Sequence, residues 1–285
     1  MKCETDAVPS QDHPVHGATR TFELTKFEGA GNDFLVFVDA SGAVELMPAV
    51  VTHLCDRRRG VGADGVLKVS PSEVADLEME LWNADGTIAE MSGNGMRCLA
   101  HAAVLQGLVE PGDFTVATRG GLRRVTFSPG ESYDRAEVSV DMGPVSLLQD
   151  VDVAGARLAR RASCGNPHLV VVVDDLAEVD AEGLGPALST SVEGGCNVEW
   201  VAVRDDGGLD LVVYERGVGL TLACGTGSCA AAAVTRSAGL TGDQVGVHNP
   251  GGLLTVDFAD GGSVATLTGP VRKVADLSVD LASLL

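Results

Sequence analysis

Two short stretches of this chain carry residues that could move protons. Residues 92–98 read SGNGMRC and residues 224–230 read CGTGSCA. Each begins on a small side chain with a dissociable proton, continues as G-x-G and runs into alanine-rich sequence that ends at a glycine. Such a pattern suits the start of a helix, where free backbone N–H groups and the positive end of the macrodipole meet. Gly93-Asn94 and Gly225-Thr226 would let a carboxylate come close to the backbone. A thiol at a helix start has its pKa lowered from about 8.5, which would make Cys224 a usable base near neutral pH. If the two starts face each other across a cleft, one proton-handling residue stands on either side of a bound carboxylate. Inverting a carbon centre without a cofactor requires that arrangement, a base on one face and an acid on the other. The amides of both starts would stabilise the charge that develops next to the carbon. Ser92 also fits a purely capping role, whereas cysteine is not a favoured cap. Cys98 and Cys229 fall well inside the helices and read as small buried hydrophobes, outside the site.

The elements that must position these residues come in two copies. With Ser92 placed on Cys224, Gly93 meets Gly225, Gly95 meets Gly227, Ala100 meets Ala232 and Gly107 meets Gly239. Upstream, GNDFLVFV (31–38) matches GNPHLVVV (165–172). The offsets are 132 and 134 residues, so the chain reads as two homologous halves, 21–141 and 142–267, with residues 268–285 returning to the first half and a polar tail at 1–20. FLVFVD, LEMELW, VEWVAV, LDLVVY and LLTVDF are short strand-like runs. Residues 94–106 and 226–238 are strong helix formers, apolar nearly all round, and a helix of that kind is a buried one. The expected class is therefore α/β (α+β). Each half is a mixed β-sheet curled around a central helix, with the site in the cleft between the halves.

Composition narrows the partners. A net charge of −20 opposes binding to nucleic acid or an anionic membrane. Seven cysteines without C-x-x-C spacing, and six scattered histidines, suit reduced thiols in the cytoplasm rather than disulfides or a zinc site, so no metal is expected. The first twenty residues lack the apolar core of a signal peptide, and no apolar run approaches the length of a membrane span. A homodimer stays possible.

Several stretches together, in order, make the chain similar to the diaminopimelate epimerases. They are KFEGAGNDF (26–34), GVGADG (60–65), WNADG (82–86), SGNGMRC (92–98), GNPH (165–168), CNVEWV (196–201), YERG (214–217) and ACGTGSC (223–229). The resemblance implies an amino-acid substrate, no cofactor, and a pair of thiols working on opposite faces of the substrate α-carbon. Cys224 matches one thiol and Ser92 stands at the other. It also implies that amides at Gly93, Asn94, Gly225 and Thr226 hold the reacting carboxylate. Asn32, Asn83, Asn166, Asn197, Glu215 and Arg216 would hold the non-reacting end. An arginine fork can bind a second carboxylate bidentately and a glutamate can accept from a second ammonium. His168 is expected to shape the pocket rather than transfer protons.

Ser92 is the departure from the pattern. An alcohol is a much weaker acid than a thiol, and a helix dipole worth about 0.3–1 kcal/mol does not close that gap. Four readings follow: a slow or asymmetric epimerase, a one-base elimination or exchange on a related substrate, a binding-only relative, or a serine introduced in place of cysteine. The enzyme runner-up is a racemase, epimerase or dehydratase acting on another amino acid. Two other enzyme classes are set aside. GVGADG satisfies G-x-G-x-x-G but follows DRRR rather than a strand, so it is not read as a dinucleotide loop. The four lysines offer no setting for a Schiff base with pyridoxal phosphate.

Overall fold

Runs with a two-residue period become strands, each presenting one face to the interior. LEMELW alternates buried and more open positions, whereas PHLVVVV is buried nearly throughout because a helix covers each face. The computed structural model describes residues 21–280; the expected tail at 1–20 and the last five residues of the chain lie outside the described residues. In the first half the strands are β1 Thr21–Gly29, β2 Asn32–Val38, β3 Gly65–Pro71, β4 Leu77–Asn83, β5 Ile88–Ala89, β6 Gly112–Thr118, β7 Gly121–Pro129 and β8 Arg135–Pro144. Its helices are α1 Pro48–Cys55 and α2 Gly93–Leu105. Then come β9 Ser146–Asp150, β10 Leu158–Ser163, β11 Pro167–Val173, β12 Asn197–Val203, β13 Leu209–Glu215, β14 Gly219–Thr221, β15 Gln244–Asn249, β16 Gly252–Asp257 and the long β17 Val264–Asp280, with α3 Ala181–Ser189 and α4 Gly225–Ser237.

The pairing repeats. β2 runs parallel to β3, β3 pairs antiparallel with β4, and β4 runs parallel to β6. In the same succession β11 runs parallel to β12, β12 pairs antiparallel with β13, and β13 runs parallel to β15. β17 ties the two sets together. Its first residues pair with β16, its remainder pairs with β1, and β8 accompanies it from Val264 to Arg272. In the first half the strands return on themselves, since β1 pairs with both β2 and β17.

Each set wraps a helix. α2 packs on β1, β2, β8 and β17, and α4 packs on β10, β11, β12 and β16. That enclosure accounts for their apolar composition: from Gly93 to Ala103 every residue of α2 is buried, and α4 is buried from Gly227 to Thr235. Both helices begin one residue earlier than their sequences suggest. Both end on a glycine in the left-handed region, Gly107 at φ 69° and Gly239 at φ 72°. Leu108 N–H donates to Ala103 C=O and Leu240 N–H to Thr235 C=O, which closes the last turn of each. α1 and α3 lie outside the rings, over Leu35 and Val66 and over Val171 and Trp200 respectively. No helix among the described residues is long and apolar enough to cross a membrane.

Candidate active site

Ser92 and Cys224 are the N-caps of α2 and α4. Ser92 Oγ accepts from Gly95 N–H at 3.1 Å, and Cys224 Sγ accepts from Gly227 N–H at 3.4 Å. The starts of the two helices touch: a β-carbon on Gly225 would lie 3.5 Å from Gly93 Cα. A β-carbon on either glycine would come within 2.8 Å of the same methyl, Leu267 Cδ2. A side chain at either position would push against Leu267, and glycine lets both helix starts close on it with their amides on the cavity.

A cavity of about 840 Å³ opens at this junction. All the residues expected at the site line it: Asn32, Asn83, Ser92, Gly93, Asn94, Asn166, Asn197, Glu215, Arg216, Cys224, Gly225 and Thr226. The volume lies in the range of small-molecule sites. Arg57 and Asp64 line it too, and the sequence reading missed both. Their signal was DRRRGVGADG, whose GVGADG belongs to the family-like stretches but assigns no role to Arg57 or Asp64.

The side chains divide into two groups. At the far group, Asn197 Oδ1 accepts from Arg216 N–H at 2.9 Å, which pins the base of the arginine. Arg216 Nη1 donates to Gly194 C=O at 2.8 Å, and Arg216 makes no ion pair among the described residues, so its fork can take a carboxylate. Glu215 accepts from Thr221 Oγ1 at 2.5 Å, and burial raises its pKa. Asn83 donates to Thr87 Oγ1 at 3.0 Å.

Asn32 and Asn166 were expected with this group but stand beside the helix starts. Asn32 Oδ1 accepts from Asn94 Nδ2, and Asn166 Nδ2 donates to Thr226 Oγ1, both at 3.3 Å. The reason is position along the chain: Asn32 opens β2 and Asn166 directly precedes β11, and these strands pack on α2 and α4.

One electrostatic expectation is overturned. Cys224 has the helix-start donors that lower a thiol pKa, yet its pKa is raised well above the ordinary value. Burial is the largest cause, with the Glu215 and Glu199 carboxylates adding to it; Thr226 and Gly227 oppose it without prevailing. At 6% exposure the desolvation cost exceeds the help of the dipole. Glu199 belongs to a buried pair in which its Oε1 lies 2.7 Å from His168 Nδ1. Burial pushes His168 down, but the Glu199 charge outweighs it and the net shift is upward. His168 Nε2 lies 2.9 Å from Asn166 Oδ1, so both ring nitrogens are engaged; the ring does not line the cavity and reaches it only through Asn166. Among the described residues no cluster of three or more His, Cys, Asp or Glu side chains is arranged to hold a metal.

Paired strand rings, each around a helix whose capped start opens on a shared cavity, define the fold of a class that includes amino-acid epimerases and racemases. A PhzF-family phenazine biosynthesis protein from Bacillus anthracis superposes with a TM-score of 0.72 at 17% identity, over 91% of this chain and 99% of its own. A hydroxyproline epimerase from Agrobacterium vitis, solved with bound trans-4-hydroxy-L-proline, superposes at 0.68 and 18% identity, over 92% and 93%. The sequence narrows the class. A profile of the diaminopimelate epimerases matches residues 24–148 and 161–274. The diaminopimelate epimerase of Corynebacterium glutamicum (strain ATCC 13032) is 40% identical over 90% of this chain and 97% of its own. That of Desulforapulum autotrophicum is 37% identical over 88% and 96%. The chain belongs to the diaminopimelate epimerase family.

Proposed function

We propose that this protein interconverts LL- and meso-diaminopimelate by moving the α-proton between Cys224 and Ser92, without a cofactor. The observation that carries the reading is the junction of two capped helix starts in one cavity that Arg216 also lines. The reacting carboxylate sits on the amides of Gly93, Asn94, Gly225 and Thr226, where charge developing on it is stabilised. Arg216 takes the distal carboxylate and Glu215 the distal ammonium.

Proton transfer is unequal on the two faces. A bound substrate brings ammonium groups toward Cys224, which offsets the Glu215 and Glu199 charges and favours the thiolate. The thiolate removes the α-proton and the Ser92 hydroxyl supplies one to the opposite face. The starting state returns when Cys224 gives up the proton it took and the Ser92 alkoxide gains one. Because that alkoxide is costly to form going forward and must act as the base in reverse, inversion is slow in both directions. Six free cysteines among the described residues support a reducing compartment such as the cytoplasm. Incubation of the purified protein with LL-diaminopimelate should yield the meso form, read by chiral chromatography. Tight binding without any meso product would leave a binding protein instead.

A further inference from the structure

The stretch GVGADG lies in the loop before β3 and delivers Asp64 to the cavity wall. Asp64 Oδ2 accepts from Asn32 Nδ2 at 2.6 Å and from Asp33 N–H at 3.1 Å. Asp64 Oδ1 accepts from Arg57 Nη2 at 2.7 Å. Arg57 also grips Asp33 through both terminal nitrogens, and Lys26 Nζ lies 2.7 Å from Asp33. Two carboxylates and two cations balance, so the cluster adds no net charge to the wall.

Its effect falls on Asn32. A carboxylate can only accept, so the amide nitrogen of Asn32 must face Asp64 and its oxygen must face the start of α2. The pseudo-equivalent asparagine in the other half, Asn166, is set the opposite way. His168 stands between Glu199 Oε1 and Asn166 Oδ1, and as the imidazolium, which the Glu199 carboxylate favours, it donates to both. Asn166 therefore turns its amide nitrogen toward Thr226 at the start of α4. Two asparagines related by the internal repeat thus present an acceptor on the Ser92 side and a donor on the Cys224 side.

We propose that Asp64 is a positioning residue, which holds Asn32 as an acceptor for the ammonium on the reacting carbon while Asn166 donates to the neighbouring carboxylate. The polarity breaks the pseudo-symmetry of the cleft and seats the reacting end in one orientation. This rests on the amino-acid reading of the site given above.

The test uses the full chain. Asp64→Leu removes both acceptor oxygens; KM for diaminopimelate should rise on the order of 10-fold, the loss of one charge-assisted hydrogen bond, with kcat changed far less. Asp64→Asn keeps one acceptor oxygen and should restore most of that loss. Arg57→Met removes one donor to Asp64 but leaves Asp64 on Asn32, so KM should rise clearly less than in Asp64→Leu. In 15N-labelled protein the Asn32 side-chain amide, identified through Asn32→Asp, should shift in Asp64→Leu. That resonance needs no substrate, so it is read even where the diaminopimelate reading fails. An unmoved amide signal, an unchanged KM, a loss confined to kcat, or a KM rise in Arg57→Met as large as in Asp64→Leu would overturn the proposal.

Discussion

Ser92 and Cys224 hold the same place in two related helices, yet their surroundings differ. Cys224 is closed in with Glu215 and Glu199, which push its thiol pKa up with burial, while Ser92 is only half-buried. Sequence made the cap positions legible because G-x-G after a small polar residue has few other uses. It could not supply the pKa, which depends on burial and on carboxylates brought in from β12 and β13. Asp64 was missed for a similar reason, since its partner Asn32 lies 32 residues away. The site arginine offers the cleanest test at this scale. Arg216→Ala should weaken binding of diaminopimelate by about 10–100-fold, the worth of a charged bidentate contact, and affect amino acids with a single carboxylate much less. Calorimetric titration with both ligands checks it. Equal loss for the two would place the arginine at the reacting end.

At the scale of the element, α2 and α4 were readable to within one residue, because their all-round apolar sequences end on glycine. α1 and α3 were not. Their signals, a proline in the first turn of α1 and the Asp180 cap of α3, are short, and two glycines and a proline interrupt α3. The strands LEMELW, VEWVAV and LDLVVY were legible from period alone, but their partners were not, since parallel pairs such as β4 with β6 join residues nearly 40 apart. The contact between helix starts makes a prediction. Gly225→Ala places a methyl 2.8 Å from Leu267 Cδ2. It should destabilise the fold by about 1–3 kcal/mol, as overpacking does, and lower turnover with it. The double variant Gly225→Ala/Leu267→Ala makes room for the methyl and should recover turnover beyond Gly225→Ala alone. Thermal denaturation and initial rates read both effects.

For the whole molecule, the internal offset exposed the repeat, whereas the closure through β17 joins residues 21 and 280 and leaves no local trace. The charge cluster of Lys26, Asp33, Arg57 and Asp64 ties β1 and β2 to the loop ahead of β3. Burial pushes Asp33 up, but hydrogen bonds from Arg57 and Lys26 outweigh it and hold its pKa at about 2, below the ordinary 3.8. A carboxylate with a depressed folded pKa contributes stability that is present above the unfolded value and lost as pH falls through the folded one. The protein should therefore lose stability between pH 3.8 and about 2, and Asp33→Asn should lose less across that window. Urea unfolding at a series of pH values checks it; parallel curves for the two proteins would count against the assignment.

The central claim is that Cys224 and Ser92 act on opposite faces of one α-carbon, and α-proton exchange in D2O tests it most directly. Proton NMR should show loss of the α-proton signal from at least one diaminopimelate stereoisomer, with exchange running ahead of inversion. Ser92→Cys should raise inversion on the order of 100-fold, the scale of acid–base catalysis by a positioned group, and Cys224→Ala should abolish both. Exchange that persists in Cys224→Ala, or inversion that Ser92→Cys leaves unchanged, would contradict the account.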